Sequence, residues 1–237
     1  MGTLIAAIGL FALLAGLETV MPDRRARYDR WMVNLGWGAV TMVATRLASF
    51  MAPLTASVWA ERHGFGVLNI VLLPGWAAAL VAVIAMDCAV YWQHRVFHRI
   101  GWLWRWHRLH HRDEALDLST AVRFHPVEGL ISLVWKAACA AMLGAPAWAV
   151  PLFELWLMAG SQIEHSNVKL PFDLVLRRVI VTPAMHRVHH SAHGDDAGHN
   201  FGFAIAVWDR LFGSYRASPL GDTIGPPPQY PARKANS

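Results

Sequence analysis

The sequence predicts an all-α fold: an integral-membrane helical bundle of about four to five membrane-embedded helices with a histidine-rich helical cap on its cytoplasmic side. Three observations predict it. Long apolar stretches recur in a chain that is 55% hydrophobic and 16% charged, where soluble domains carry roughly 25% charged residues, and the mean hydropathy is +0.31. Basic residues gather in a few segments between those stretches. Histidines gather in three short clusters in the C-terminal two-thirds, at or beyond the ends of the stretches.

Residues 1–20 are apolar apart from Thr3, Glu18 and Thr19, long enough to cross a bilayer core. With no positive n-region and no small-residue cleavage motif, they read as an uncleaved first span rather than a signal peptide. Residues 31–60 form a second apolar stretch with Arg46 inside it and Pro53 near its end, read as one tilted span followed by an interfacial segment. Arg46 is costly in lipid and is expected to face the protein interior or snorkel, as a structural partner. Residues 74–93 give a third span, opened by Pro74, with Asp87 near its inner end, and it continues into His94 and His98. Residues 129–163 are mostly apolar and are broken by Gly144-Ala-Pro146, which predicts two helices joined by a turn. Of the 21 Lys and Arg, all but Arg46, Arg62 and Lys136 fall in 22–30, 95–123 and 164–237. The positive-inside rule makes that side cytoplasmic, which places the histidine clusters and the C-terminus there. The length fits one domain, residues 1–221. Residues 222–237, rich in Pro and polar residues, are expected to be a disordered tail.

The histidines carry the chemistry. They read His94-Arg-Val-Phe-His98, His107-Arg-Leu-His110-His111 and His186-Arg-Val-His189-His190. Positions i, i+3 and i+4 share one helix face, so each cluster points two or three imidazoles in one direction. A lone His is ordinarily a hydrogen-bonded core or interface residue, and a single i, i+4 pair says little. The H-x-x-H-H pattern, however, occurs twice. Neutral imidazole is the commonest protein ligand for transition metals. Eight clustered imidazoles exceed what one ion needs, and the simplest account is a site for two metal ions assembled from distant parts of the chain. Cys88 and Cys139 lie in apolar runs and are expected to be buried free thiols, too few and too dispersed for a thiolate site. There is no phosphate-cradling Gly loop, no dinucleotide fingerprint and no G-x-S-x-G. The basic residues bear on topology rather than on nucleic acid.

The order H-x-x-x-H, H-x-x-H-H, His125-Pro-Val-Glu128, His165-Ser-Asn-Val-Lys-Leu-Pro171, Thr182-Pro-Ala-Met-His-Arg-Val-His-His-Ser191, Asn200-Phe-Gly202 and Trp208-Asp-Arg-Leu-Phe-Gly-Ser-Tyr215 resembles the fatty acid hydroxylase and sterol desaturase superfamily, from about Asp87 to Tyr215. The resemblance implies a non-haem di-iron centre of two Fe ions with O2 as co-substrate. It implies an oxidoreductase that hydroxylates or desaturates a C–H bond of a membrane lipid, of sterol or fatty acyl type. The implied metal ligands are His94, His98, His107, His110, His111, His186, His189 and His190, with His165 at a further ligand position. His125 stands either as a ligand or as a residue behind the ligands. The chain departs from the family pattern at Gly198-His199-Asn200, where members often have Asp-x-Asn. It departs again at Glu164 and near Ser161, where members sometimes supply another His. His63, His193 and His199 are read as lying outside the site.

Imidazole ligands leave a metal cluster cationic, and carboxylates ordinarily hold the distal N–H of ligating histidines. Asp87, Glu128 and Glu164 are favoured for this over Asp113, Glu114, Asp117 and Asp209, because they lie closest to apolar sequence or to histidines. Trp102, Trp104 and Trp106 read as a strip docking their segment in the membrane interface. With no flavin or nicotinamide motif, electrons are expected from an external donor such as a ferredoxin or a cytochrome b5-like protein, to which the basic face is complementary. Two other classes are weighed: a membrane zinc-dependent hydrolase and a non-enzymatic metal-binding or transport protein. Two-metal hydrolases often use bridging carboxylates, and transporters carry their ligands near the midplane. The nearly all-imidazole clusters, most of them beyond the spans, count against both.

Overall fold

The computed structural model describes residues 2–25, 28–49, 52–71 and 73–226. Among these residues the chain is helical, with three isolated β-bridges and no strand. The helices are α1 (Gly2–Val20), α2 (Trp31–Leu47), α3 (Pro53–Arg62), α4 (Val67–Ile70), α5 (Gly75–Arg99), α6 (Gly101–His111), α7 (Pro126–Leu143), α8 (Val150–His165), α9 (Asp173–Leu176), α10 (Pro183–His189) and α11 (Val207–Leu211). Several start where the sequence signals a start. Pro lies in the first turn of α3, α7, α8 and α10, where its missing N–H costs nothing. The Thr182 hydroxyl accepts from Met185 N at 3.3 Å to cap α10. Helix α7 ends at Gly144, whose φ of 67° is left-handed, a conformation only glycine adopts without strain.

Helices α5 and α7 are long and apolar enough to cross a membrane, while the apolar stretch Ile5–Val20 of α1 is shorter. Residues 129–163 do form two helices, α7 and α8, around the Gly144 turn. Residues 31–60 form two helices as well, and both α2 and α3 pack on α7. The hydrophobic core joins α5, α7 and α8 through Met86, Val90, Ala140, Phe153 and Leu157. Helix α1 lies along α8, where Glu18 accepts from the backbone N–H of Leu118 at 2.9 Å and of Asn167 at 2.5 Å. Large apolar side chains stand exposed on the outer faces of α1, α2, α7 and α8, among them Ile8, Val43, Trp135 and Leu152.

The residues between α6 and α7 form a strap held by buried polar bonds. Asn34 donates to Asp113 at 2.8 Å and to Ser119 at 2.7 Å, and Arg123 donates to Asn34 at 2.6 Å. Arg30 pairs with Asp113 and Asp117. The strap fixes the end of α6, where the second histidine cluster sits. Two expectations are corrected here. Residues 222–226 are ordered rather than tail-like: Ala192 N donates to Thr223 O at 2.7 Å and Gly225 N to His190 O at 3.1 Å. The rest of the expected tail, 227–237, lies outside the described residues. Trp102, Trp104 and Trp106 do not form one strip, because residues two apart point to different sides of a helix. Trp102 is exposed, Trp104 is buried against the rings of His98 and His111, and Trp106 packs on His125. Of the two alternatives for Arg46, the interior one is not seen: the residue is exposed at the edge of a cavity, as a snorkelling side chain would be. Cys88 and Cys139 are free and partly buried.

Candidate metal centre

Four elements bring the histidines together. The C-terminal end of α5 carries His94 and His98, α6 carries His107, His110 and His111, α8 ends on His165, and α10 with its cap carries His186, His189 and His190. They meet as two buried groups: His94, His98, His107, His111 and His189; and His110, His165, His186 and His190. Within each group one nitrogen per ring lies within 4.8 Å of the others. These are the nine positions that the sequence singles out as ligands without an alternative role.

The rings are oriented from behind. His94 Nδ1 bonds Phe201 O at 2.9 Å, His189 Nδ1 bonds His199 O at 2.8 Å, and His165 Nδ1 bonds Ser161 O at 2.7 Å. A carbonyl can only accept, so each of these rings carries its proton on Nδ1 and presents a lone pair on Nε2. His107 Nδ1 meets Glu128 Oε1 at 2.6 Å. The Nε2 atoms then face one another: His94 and His107 at 3.2 Å, His110 and His165 at 3.0 Å, His165 and His186 at 3.0 Å. His94 and His107 both carry their protons on Nδ1, and lone pairs directed at one another in this way repel unless a cation lies between them. Two metal–imidazole bonds of about 2.1 Å at a right angle span about 3.0 Å. Both ring nitrogens of His111 and of His190, and Nε2 of His189, are buried without a hydrogen-bond partner among the described residues. Such orphaned groups are rare and call for an explanation, and a bound metal is one. Burial, reinforced by the neighbouring imidazoles, pushes His110, His111, His186 and His190 well below the ordinary histidine range. Burial takes His189 down to about 3, although its bond to the His199 carbonyl works the other way. The rings are therefore neutral, the form that binds metal.

The three favoured carboxylates divide. Glu128 bonds His107, and Glu164 lies 3.6 Å from His165 Nδ1 and 3.5 Å from His186 Nδ1. Asp87 does not touch an imidazole: it accepts from the indole N–H of Trp156 at 2.9 Å and of Trp208 at 2.7 Å. It lies seven residues before His94, about 10 Å along α5. His125 joins neither group. Its Nδ1 accepts from Val127 N at 3.1 Å to cap α7, and its ring packs between Trp106 and Trp37. His63 is exposed and bonds Trp59 O, and neither His193 nor the ring of His199 reaches the groups.

Two positioning residues are not favoured by the sequence: Asn200 stands only inside a motif, and Asp209 is weighed as a carboxylate and set behind three others. Asn200 is buried at φ 55°, a strained conformation that surrounding bonds must impose. Its amide donates to Met185 O and Arg216 O and accepts from Arg216 N. The carbonyls on either side, His199 O and Phe201 O, are those that accept from His189 and His94. Asp209 accepts from Phe201 N, Gly202 N and Ser214 Oγ, each at 2.7 Å, and burial pushes its carboxyl up to about 6. The signal available was the Asn200-Phe-Gly202 and Trp208-Asp-Arg motifs, which act through backbone carbonyls rather than ligand atoms.

A cavity of about 540 Å³ opens beside the histidines. His94, His107, His110, His165 and His186 line it together with Glu128 and Glu164, and Val90, Phe97, Leu133, Leu157 and Phe203 form its apolar wall.

The stretch that supplies every one of these histidines, residues 79–214, matches the family model for fatty acid hydroxylase. The chain belongs to the fatty acid hydroxylase family. Its hydroxylase region is 31% identical over 137 residues to alkylglycerol monooxygenase of Homo sapiens, covering 57% of this chain and 30% of that protein. It is 32% identical over 154 residues to ornithine lipid hydroxylase OlsE of Rhizobium tropici, covering 61% and 44%. It is 28% identical over 138 residues to very-long-chain aldehyde decarbonylase GL1-9 of Oryza sativa subsp. indica, covering 57% and 53%. The chain thus spans from under a third to about half the length of these relatives. No solved structure matches it significantly.

Proposed function

We propose that this fatty acid hydroxylase family member is an O2-dependent lipid oxygenase with two iron ions, hydroxylating or desaturating a C–H bond of a membrane lipid. The observation that carries the reading is the pair of neutral imidazole groups at the end of an apolar cavity. His94, His98, His107, His111 and His189 would hold one ion, and His110, His165, His186 and His190 the other. When bound, the irons supply the one-electron and oxygen chemistry that an unactivated C–H bond demands and that side chains alone lack. No carboxylate joins either group among the described residues, whereas two-metal hydrolases favour bridging carboxylates. The names of the relatives, a monooxygenase, a lipid hydroxylase and an aldehyde decarbonylase, support oxidation of a lipid.

The chain's own residues bind, orient and exclude. Glu128 and the Ser161, His199 and Phe201 carbonyls fix the ring tautomers, so the lone pairs stand ready before a substrate arrives. The apolar wall admits a hydrocarbon chain and excludes bulk water from the reacting end. Helices α1, α2, α5, α7 and α8 embed the body in the bilayer, with the histidines and the described C-terminal residues on the cytoplasmic side. Arg99, Arg105, Arg108 and Arg112 are exposed around α6, a basic surface suited to an acidic electron carrier such as a ferredoxin or a cytochrome b5-like protein.

His110→Ala and His189→Ala each remove one ligand, from a different group. Each variant is expected to lose iron from the purified protein and to abolish the lipid product that cells form with the wild type, an 18O-labelled alcohol under 18O2 if the reaction is hydroxylation or an unlabelled alkene if it is desaturation. Full iron and full product formation in both variants would refute the assignment.

A further inference from the structure

The cavity has a second end that the oxygenase reading leaves unused. Along α7, Glu128, Gly129, Ser132, Leu133 and Lys136 line it, the spacing of a single helix face. Glu128 is bonded to His107, and Lys136 lies eight residues on, about 12 Å along the axis. Antiparallel α8 repeats the arrangement, with Glu154 lining the far end and His165 the near end, eleven residues or about 16 Å apart. Lys136 Nζ donates to both Glu154 oxygens, at 2.8 and 2.9 Å, and an ammonium has a third donor to give. Arg46 of α2 lines the cavity too, one residue after Thr45, whose methyl approaches Gly129 of α7, and three before Ser49, which also lines it; it has no ion-pair partner among the described residues. Glu154 is engaged by Lys136, so among the described residues no carboxylate pairs with the Arg46 charge on this cavity.

Lys136 is the one basic residue of α7, a helix apolar and long enough to cross a membrane. Ionisable groups in such helices are expensive and mark functional sites. A pair serving only to tie α7 to α8 would require neither an opening onto the cavity nor an arginine on the same cavity that lacks an ion-pair partner among the described residues. We propose that this end is a headgroup site, in which Arg46 and Lys136 hold the carboxylate or phosphate of a single-chain amphiphile whose hydrocarbon runs to the histidines. The inference rests on the cavity being the lipid's chamber. It places the oxidised carbon about 12 Å from the anion, within the chain rather than next to the headgroup.

Native mass spectrometry of the iron-loaded protein tests this with amphiphiles sharing one chain: hexadecanoate, hexadecyl phosphate, hexadecanol and hexadecyltrimethylammonium. The two anions are expected to bind at least about tenfold more tightly than the alcohol, the gain of a charge-assisted bond, and the quaternary ammonium most weakly. Inorganic phosphate and butyrate are expected to compete at least about tenfold less well than hexadecanoate, because they forgo the apolar wall. Arg46→Gln removes the anion preference. Lys136→Gln combined with Glu154→Gln removes the ammonium but keeps an uncharged hydrogen bond between α7 and α8, which rescues a purely structural role, yet by the proposal it weakens the preference. Equal binding of anions and alcohol in the wild type, competition by phosphate as strong as by hexadecanoate, or a preference that survives Arg46→Gln would overturn it. Iron is assayed on the same samples. Absence of iron with the preference intact defeats the oxygenase reading and leaves the headgroup site standing, whereas iron without the preference defeats the headgroup site alone.

Discussion

Glu128 shows what a single side chain does for the nine imidazoles. Its Oε1 meets His107 Nδ1 at 2.6 Å and fixes which nitrogen of that ring faces the other ligands. Partners of this kind typically raise metal affinity 10- to 100-fold. Glu128→Gln keeps an acceptor but loses the charge, and is expected to weaken metal binding about tenfold, with Glu128→Ala nearer a hundredfold. Titration against a competing chelator measures both, and equal affinities in wild type and Glu128→Ala would show that the carboxylate does not act through His107. At this scale the sequence was informative where the contact is local. The H-x-x-H-H spacing is a property of one helix turn, so the imidazoles of each cluster were visibly on one face. Glu128 and Glu164 were legible because each lies next to apolar sequence and close to a histidine. Asp87 had the same signature, yet its partners Trp156 and Trp208 lie 69 and 121 residues away, and nothing local announces them. His125 failed for the opposite reason: its bond to Val127 is a two-residue cap that competes with any ligand role.

At the scale of elements, the site depends on how closely helices and loops approach. Gly160 of α8 sits against the 203–204 loop, where a Cβ would lie 2.6 Å from Ala204 Cβ and 3.1 Å from its Cα. The Cα cannot move without moving the chain that carries Phe203, a wall of the cavity, and Phe201, whose carbonyl orients His94. Gly160→Ala is therefore expected to cost about 1–3 kcal/mol through overpacking, seen as a lower Tm, and to reduce bound metal through His94. An unchanged Tm would mean that the loop yields freely. The start of α5 at Pro74 and the turn at Gly144 were legible from residue type alone. The division of 31–60 into α2 and α3, both seated on α7, was less so, because two helices packed on one partner and one tilted helix share the same hydropathy. The tryptophan strip was misread for want of secondary structure: spacing two gathers side chains on a strand and scatters them on a helix.

For the whole molecule, the decisive feature is a cap of neutral imidazoles on a body whose outer faces are apolar. That combination couples stability to pH in a fixed direction. In the folded chain burial holds His110, His111, His186, His189 and His190 below the ordinary histidine range, His189 at about 3. An unfolded histidine takes its proton near pH 6.5. Below that pH the unfolded state binds more protons and gains on the folded one, so the stability present above about 6.5 is lost as pH falls. Asp209 opposes this. Its folded carboxyl titrates at about 6, against an unfolded value of 3.8, so its contribution is full at low pH and is lost as pH rises through 6. One carboxyl does not offset five imidazoles, and the balance favours acid lability. The Tm of metal-free protein in detergent is therefore expected to fall steadily between pH 7.5 and 5.5. Metal-loaded protein should fall less, since an ion bound only to the folded state adds its own stabilisation until protons displace it. A flat Tm for the metal-free protein across that window would mean that these rings are not held neutral by burial, and the two-group arrangement of lone pairs would lose its physical basis.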